Sequence, residues 1–400
     1  MKILVINAGS SSLKYQLIDM NDEKVLAKGN CERIGTEGAF IGFKDSNGEK
    51  VERKTQMLNH TQAFEAVKDA LIDPQYGAIS SLSEVSAIGH RVVQGGAYFD
   101  KSVLINDEVI EKIEEFSPLA PLHNPANLQG IEACKRVFGT EIPQVAVFDT
   151  AFHQTMPEKA YMYAVPYKYY EKFGVRKYGF HGTSHRYVSS KMAELMGRND
   201  LKLITCHIGN GSSITAIKNG KVIDTTMGLT PLGGFMMGTR SGSLDPSVVT
   251  FIAEKENLSP NEVSTMLNKE SGLLGVSGVS SDDRDVTEAE LNGNMRAHLA
   301  HEMLYYQIAQ YIGSFYIALG GCDGIVFTAG LGENQPALRE KVCEYLECIG
   351  VKLDKEFNNK ARLGVTGTLS TPDSAIRVEL IATDEEMVIA RDTKAIVEAL

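Results

Sequence analysis

Short runs of β-branched and other apolar residues alternate with stretches of helical periodicity, and this alternation predicts an α/β protein. Lys2–Ile6, Leu13–Ile18 and Lys24–Ala27 predict three successive strands at the N-terminus. Thr61–Leu71 predicts a helix because its apolar residues recur at helical spacing, and Val85–Gly89 predicts a buried strand. The first part of the chain therefore predicts a sheet with at least one packed helix.

Two helix starts are predicted from capping signals. Asn124 followed by Pro125 is typical of an N-cap and a first helical position, and this helix is expected to run to about Phe138. Thr383–Glu386 has the T-x-x-E pattern of a capping box and predicts the start of the closing helix. Between them, Gln144–Phe148 predicts a strand that ends at an aspartate.

A second β-rich unit begins near Leu201 and resembles the N-terminus. Leu201–Ile208 predicts a strand, a Gly-Asn-Gly-Ser-Ser turn follows it, and Asn219-Gly220 indicates a hairpin. The first unit has the same order, with a Gly-Ser-Ser-Ser turn after its first strand. Gly9 and Gly211 are 202 residues apart, so we predict an internal duplication of a βββ unit.

The last third of the chain predicts a long helix over Met295–Leu319 and a strand over Gly324–Thr328. This strand opens into the glycine-containing segment Gly330–Asn334, and a helix is expected from about Pro336. Because α/β folds bind ligands at the carboxyl ends of strands, the segment predicts a nucleoside or phosphate site. A structural turn is the alternative interpretation.

Composition narrows the classes of partner. The chain has 400 residues, a formal net charge of −11, 43% hydrophobic and 23% charged residues, which is typical of a globular protein. The negative charge disfavours nucleic-acid and anionic-membrane partners but leaves room for small anions at a local basic cluster. No apolar stretch is long enough for a transmembrane helix, and the six cysteines form no CxxC pair. We therefore expect a reduced, intracellular protein.

Several side chains are candidates for anion chemistry. The two Gly-rich turns offer backbone N–H groups and hydroxyls to phosphate, with plain hairpin turns as the alternative. A surface ion pair is the default interpretation of a single arginine, but Arg91 and Arg240 both lie in glycine-rich segments and together indicate oxyanion binding. His181 and His185 have i, i+4 spacing but lack the glutamate of a zinc motif, so zinc is disfavoured and a structural role stays open. Asp149 ends a strand, where metal-associated carboxylates recur.

Seven motifs occur in one order over nearly the whole chain: Asn7–Lys14, Gly89–Val93, Phe148–His153, Gly179–His185, His207–Ser213, Met236–Gly242 and Thr328–Asn334. Together they resemble the acetate kinase (acetokinase) family of the acetate and sugar kinase/Hsp70/actin superfamily. The resemblance implies two duplicated actin-like, ribonuclease H-like lobes with a βββαβαβα core around a nucleotide cleft. The expected lobes are residues 1–149 plus 386–400, and residues 150–385. The chain departs from the family pattern at Gln94, Gly233 and Ser243, where a histidine and two acids are expected.

The resemblance also implies roles for individual residues. Asn7 and Glu385 would hold Mg²⁺, with Mn²⁺ as an alternative. Asp149 would be the catalytic carboxylate, and His181 and Arg240 would stabilise the transferring phosphoryl group. The acyl substrate would contact Arg91, Val93, Leu122, His123, Phe180 and Pro231. The nucleotide would contact Ser10, Ser12, Lys14, His207, Ile208, Gly209, Asn210, Gly211, Asp282, Asp283, Arg284, Gly330, Leu331, Gly332, Glu333 and Asn334.

The implied reaction is reversible phosphoryl transfer from ATP to acetate, giving ADP and acetyl phosphate, in a cytoplasmic homodimer. A carboxylate acceptor is already ionised at neutral pH, so its attack needs no general base. We therefore expect Asp149 to position Mg²⁺, water or an arginine, and transfer to be direct and in-line. The alternatives are a propionate or other short-chain fatty acid kinase and, from another class, an actin- or Hsp70-like ATPase that is not a kinase.

Overall fold

The computed structural model describes residues 1–44 and 49–400, and these form two compact units. The first unit contains Met1–Ala151 and Asp384–Leu400, and the second contains Phe152–Thr383. The lobe boundaries expected from the sequence are 149/150 and 385/386. Within the described ranges, no helix is long and apolar enough to cross a membrane.

An eight-stranded sheet forms the centre of the first unit. Its strands are β1 (Lys2–Ala8), β2 (Ser12–Asp19), β3 (Lys24–Glu32), β4 (Phe40–Lys44), β5 (Lys50–Lys54), β6 (Val85–Val92), β7 (Val103–Leu104) and β8 (Gln144–Phe148). They lie in the order β5-β4-β3-β2-β1-β6-β8-β7. Strands β1 to β3 pair antiparallel, whereas β1, β6 and β8 run parallel to one another. The carboxyl ends of three neighbouring strands therefore meet at one edge.

Helices cover both faces of this sheet. They are α1 (His60–Leu71), α2 (Asp107–Glu115), α3 (Asn124–Phe138) and the C-terminal helix (Glu385–Val397). Phe64 of α1 and Cys134 of α3 belong to the apolar core on one face. Ile389 of the C-terminal helix packs with Val5 and Val145 on the other face. The C-terminal helix thus belongs to the N-terminal unit.

The second unit contains a six-stranded sheet. Its strands are β9 (Lys202–Ile208), β10 (Ser212–Lys218), β11 (Lys221–Thr225), β12 (Gly324–Thr328), β13 (Gly367–Thr368) and β14 (Arg377–Leu380), in the order β11-β10-β9-β12-β14-β13. Its helices are α4 (Glu158–Tyr161), α5 (Lys168–Phe173), α6 (Gly182–Met196), α7 (Pro246–Glu256), α8 (Pro260–Lys269), α9 (Gly272–Ser277), α10 (Asp283–Leu291), α11 (Met295–Leu319), α12 (Ala329–Asn334), α13 (Pro336–Leu346) and α14 (Lys355–Lys360). The long helix α11 supplies much of the apolar core, including Leu304, Ile308 and Phe315.

The two sheets share one topology. Five strands follow the order β3-β2-β1-β6-β8 in the first and β11-β10-β9-β12-β14 in the second. Strands β1 and β9 begin at positions 2 and 202, so the repeat has an offset of 200 residues and relates Gly9 to Gly209. The predicted fold class, an α/β protein of two duplicated actin-like lobes, is confirmed.

Both predicted N-caps are one residue off. The N-cap of α3 is His123, while the Asn124 side chain is buried and donates through Nδ2 to Gln94 O at 2.9 Å. The C-terminal helix is capped by Asp384, whose carboxylate accepts from Met387 N at 3.0 Å. The Thr383 hydroxyl instead bonds with the Ser184 hydroxyl at 2.8 Å. Both differences arise because partners distant in sequence take up the side chain.

Candidate active site

Three polar residues lie at the carboxyl ends of neighbouring parallel strands in the first unit. Asn7 is in β1, Arg91 is in β6 and Asp149 follows β8. The backbone N–H of Asp149 donates to Val92 O at 2.9 Å, which continues the pairing of β6 and β8 past the end of β8. This edge is where open α/β sheets bind ligands.

Arg91 and Asp149 form a two-point ion pair. Arg91 donates from Nε to Oδ1 at 2.9 Å and from Nη2 to Oδ2 at 2.6 Å. The Asp149 side chain is 1% exposed and that of Arg91 is 22% exposed. Burial opposes the charge of Arg91, but the carboxylates of Asp149, Glu385 and Glu386 outweigh it and raise the pKa of Arg91. The guanidinium is therefore held in one orientation and stays charged.

A small cavity of about 220 Å³ adjoins this pair. It is lined by Val5, Asn7, Lys14, Tyr15, Arg91, Glu385, Glu386 and Ile389. Burial raises the pKa of Glu386, and the nearby Glu385 and Asp384 add to the effect. Glu385 and Asn7 thus bring a carboxylate and an amide oxygen to the same cavity.

These oxygen donors fit Mg²⁺. That ion commonly binds one or two protein oxygens and completes its shell with water and substrate phosphates. Across residues 1–44 and 49–400, no group of three or more His, Cys, Asp or Glu side chains could hold a metal by itself. Asn7 and Glu385 therefore suit a metal that shares its coordination with a bound phosphate, and do not suit a closed protein cage.

The Gly9–Ser12 turn directs its carbonyl groups into the protein. Gly9 N donates to Ser12 O at 2.8 Å, Ile34 N donates to Ser11 O at 2.9 Å, and the His60 ring bonds with Gly9 O at 2.7 Å. Ser10 is exposed and Ser12 is partly exposed. Lys14 pairs with Asn7 in the β1–β2 register, so its charge lies close to the candidate metal ligand.

The other first-unit residues of the expected substrate set differ in exposure. Val93 is buried, and its N–H donates to Asn127 Oδ1 at 3.1 Å. Leu122 is exposed, and His123 caps α3. In the second unit, Phe180 is buried and Pro231 is partly exposed.

A hydroxyl–imidazole chain organises the second unit. His181 begins α6 with a left-handed φ of 58°, and its Nδ1 bonds with Ser213 Oγ at 2.9 Å. The same hydroxyl bonds with His185 Nε2 at 2.7 Å, and His185 Nδ1 bonds with Thr205 Oγ1 at 2.7 Å. Burial, together with His153 and His207, keeps the pKa of His185 well below its usual value. The i, i+4 histidine pair is thus held by a shared serine hydroxyl.

Arg240 and His181 flank Gly211. A Cβ on Gly211 would lie 3.3 Å from Arg240 Nη1 and 3.7 Å from His181 Nε2. Arg240 Nη1 donates to Pro231 O at 3.1 Å, and burial lowers the pKa of Arg240. Arg240 forms no ion pair with any carboxylate of the described residues. Arg240 Nη1 and His181 Nε2 therefore both approach the backbone of this glycine turn.

A cavity of about 530 Å³ lies in the second unit. Its lining includes eight residues of the expected nucleotide set: Gly209, Asn210, Asp282, Asp283, Arg284, Gly330, Leu331 and Asn334. The sequence analysis missed five further lining residues: Gly238, Leu273, Ser281, Gln335 and Leu363. The glycine-rich sequence around Gly238 is a signal that could have identified this residue. A Cβ at Gly238 would lie 1.8 Å from Asn210 Oδ1, so the close approach of the two segments requires glycine.

Other residues of the expected nucleotide set do not line this cavity. Those in the second unit are His207, Ile208, Gly211, Gly332 and Glu333, and those in the first unit are Ser10, Ser12 and Lys14. Residues 330–334 belong to the short helix α12, in which Gly332 is buried. The Glu333 carboxylate accepts from Ala329 N at 2.9 Å and from Thr383 N at 3.2 Å. In this structure Glu333 secures the start of α12.

Comparison with known proteins matches this architecture. The family model described as the acetokinase family matches residues 2–391. Acetate kinase from Thermotoga maritima is 55% identical over 403 residues, and that from Bacteroides thetaiotaomicron is 56% identical over 400 residues, with 100% of each chain covered. The crystal structure of Porphyromonas gingivalis acetate kinase has 51% identity and a TM-score of 0.94, with 99% of both chains covered. A propionate kinase structure from Francisella tularensis has 42% identity and a TM-score of 0.93, covering 98% of this chain and 99% of that one. The chain therefore belongs to the acetokinase family of phosphotransferases.

Proposed function

We propose that this chain reversibly transfers the γ-phosphoryl group of ATP to acetate, giving acetyl phosphate and ADP. The observation that carries the proposal is Arg91, fixed by Asp149 at the carboxyl ends of β6 and β8. An oriented guanidinium is well suited to bind a small carboxylate or phosphate through two hydrogen bonds. An ATPase that only switches conformation has no need of such a clamp.

Asp149 is a positioning group in this proposal. Both of its carboxylate oxygens accept hydrogen bonds from Arg91, so the carboxylate and the guanidinium fix each other's position. Acetate is an anion at neutral pH and attacks without losing a proton. The chemical demand is to bring two anions together and to stabilise the charge of the transferring group.

Arg240 and His181 meet that demand on the phosphoryl side. Because Arg240 lacks a carboxylate partner among the described residues, its charge remains available to an anion. His181 Nε2 lies beside the same turn, at Gly211. Positive charges and hydrogen-bond donors that are held in place before the reaction contribute much of the rate enhancement in phosphoryl transfer. We assign both residues to the transition state of a direct, in-line transfer.

The nucleotide occupies the 530 Å³ cavity in this proposal. In the second unit, Gly209–Gly211 are assigned to the phosphates, and Asp282–Arg284 with Gly330–Asn334 are assigned to the adenosine side. In the first unit, Ser10, Ser12 and Lys14 are assigned to the phosphates. The cavity combines backbone at glycines with the apolar side chains of Leu273 and Leu331, which suits a phosphate chain joined to a planar base.

Asn7 and Glu385 hold Mg²⁺, or Mn²⁺ in its place. When bound, the metal neutralises phosphate charge and so reduces the repulsion between the two anionic substrates. The residues of this chain orient the substrates: Arg91 holds the acyl group, and Val93, Leu122, His123, Phe180 and Pro231 form its surroundings.

We also propose a cytoplasmic homodimer without nucleic-acid or membrane partners. The net charge of −11 supports the absence of polyanionic partners. Exposed aromatic side chains of the second unit, including Tyr167, Phe173 and Phe251, support a protein interface there. Light scattering should give twice the mass of one chain; the mass of one chain would contradict the dimer.

Propionate is the second candidate acceptor, because a propionate kinase structure is among the similar proteins. One methylene in an apolar pocket changes specificity by about 1–3 kcal/mol. A hydroxamate assay with ATP, Mg²⁺ and acids of increasing chain length therefore tests both candidates. We expect acyl phosphate with the highest kcat/KM for acetate. A higher value for propionate would reverse the ranking, and binding of ATP without any acyl phosphate would refute the kinase.

A further inference from the structure

Gln335 lies on the wall of the 530 Å³ cavity and directly follows α12. The other end of α12 adjoins the glycine turn, because a Cβ on Gly209 would lie 3.9 Å from Gly330 N. Gln335 is five positions after Gly330 along this helix, which is an axial distance of roughly 7.5 Å. If the proposed function is correct and phosphates bind at the glycine turn, Gln335 lies toward the nucleobase.

A buried chain of hydrogen bonds fixes the Gln335 amide. Its Nε2 donates to Asp283 Oδ2, and His301 Nε2 bonds with Asp283 Oδ1 at 3.2 Å. His301 is 1% exposed, and its Nδ1 bonds with Glu290 Oε2 at 2.5 Å. A carboxylate only accepts hydrogen bonds, so the amide nitrogen of Gln335 must face Asp283. The carbonyl oxygen Oε1 is thereby left for a ligand, and no described residue donates to it.

The neighbouring polar groups are already occupied. Asn334 donates from Nδ2 to Gly330 O at 2.9 Å and accepts from Leu363 N at 3.0 Å. Arg284 is paired with Asp282 through Nε at 3.0 Å and Nη2 at 2.6 Å. At this end of the cavity, Gln335 Oε1 is therefore an available acceptor, and the apolar side chain of Leu363 belongs to the same lining.

We infer that Gln335 determines nucleobase specificity by accepting a hydrogen bond from an exocyclic amino group. The inference rests on the proposed function and names the class of base that it uses. A 6-amino purine satisfies Oε1, whereas a 6-oxo purine sets carbonyl against carbonyl and leaves both without a donor. Asp283, His301 and Glu290 are positioning residues that hold the amide in this orientation.

The test compares ATP with inosine triphosphate, which replaces the amino group at position 6 with an oxo group. The wild-type protein should favour ATP about tenfold or more in kcat/KM, the value of roughly one hydrogen bond. Gln335→Met should bring the ratio close to one by weakening the use of ATP. Asp283→Asn allows the Gln335 amide to turn its nitrogen toward the base, so the ratio should fall through better relative use of inosine triphosphate.

Glu288→Gln is the matched control, because it removes one carboxylate from the exposed side of the same helix, α10. It should leave the nucleotide ratio unchanged. Equal use of both nucleotides by the wild type, or an unaltered ratio in Gln335→Met, would overturn the inference. So would an Asp283→Asn variant that loses activity equally with both nucleotides, which is the result expected of a merely structural residue.

Calorimetric binding of ADP and inosine diphosphate keeps this inference separate from the proposed function. Tighter binding of ADP in the wild type, lost in Gln335→Met, supports the role of Gln335 even if no acyl phosphate forms. Equal affinities for the two diphosphates would overturn it even in an active kinase. Absence of acyl phosphate with either triphosphate would count against the proposed function alone.

Discussion

The two units share a sheet topology but hold their central arginines in opposite ways. Arg91 is locked by two hydrogen bonds to Asp149, which is almost fully buried. Arg240 donates to the backbone carbonyl of Pro231 and to the sulfur of Met237, and has no carboxylate partner within residues 1–44 and 49–400. Pairing fixes the direction of a guanidinium but compensates its charge, whereas an unpaired one keeps its charge for a substrate. One duplicated fold thus supports an orienting arginine and a charge-stabilising arginine.

The largest predicted effects are on turnover. Arg240→Ala and Arg91→Ala should each lower kcat by roughly 10³-fold or more, comparable to loss of an arginine finger. Steady-state formation of acyl hydroxamate measures both. The exposed Arg136 of α3 provides a control, and Arg136→Ala should leave kcat unchanged. Near-wild-type turnover in either active-site variant would remove that arginine from the mechanism.

Stability should separate the same two variants. Arg91→Ala leaves Asp149 buried without its partner, and should lower the free energy of unfolding by about 3 kcal/mol. Arg240→Ala leaves no buried carboxylate without a partner, so it should lower the free energy of unfolding by clearly less. Urea denaturation provides the measurement. Adding Asp149→Asn to Arg91→Ala should restore part of the loss, and equal losses in the two single variants would contradict the comparison.

In the second unit, the Ser213 hydroxyl bonds with both His181 and His185. Ser213→Ala should reduce kcat about tenfold, because His181 loses the hydrogen bond that orients its ring. It should also shift the pH profile of kcat, and Ser213→Thr should restore much of the rate. A pH profile identical to that of the wild type would show that Ser213 only fills space.

The smallest effect concerns His301 of α11. Burial lowers its pKa, but hydrogen bonds and charge from Asp283 and Glu290 outweigh this and raise the pKa overall. A raised pKa means that the folded protein binds the His301 proton more tightly than the unfolded chain does. The stabilisation that His301 contributes is therefore complete below pH 6.5, and it is lost as the pH rises through the folded pKa. Urea denaturation between pH 6 and about 8 should show this fall in the wild type and a shallower one in His301→Gln. Equal slopes would contradict it.

Local periodicity was sufficient to predict much of the fold. The strand Gln144–Phe148 and the helix Met295–Leu319 have the bounds that their apolar patterns indicate. Asn124 was misassigned because its amide bonds to Gln94 O and Ile113 O, distant in sequence, and not to the helix that it begins. Local capping patterns contain no information about such partners.

The site was predictable where a motif combines glycine with polar residues at the end of a strand. Gly209, Asn210 and Asp283 line the cavity as expected of nucleotide contacts. Gln335 was missed because a single glutamine has no motif, and its orientation depends on Asp283, which lies 52 residues away in sequence. Residues defined by a buried hydrogen-bond chain require the fold before they can be recognised.

The stereochemical course at phosphorus distinguishes a direct transfer from a transfer through a phosphorylated enzyme residue. Arg91, Arg240 and His181 are assigned to a single direct transfer, without a phosphorylated enzyme residue. With ATP chiral at the γ-phosphorus and acetate as acceptor, we expect inversion of configuration in acetyl phosphate. Net retention would contradict it, because retention requires two successive transfers through a group of the protein.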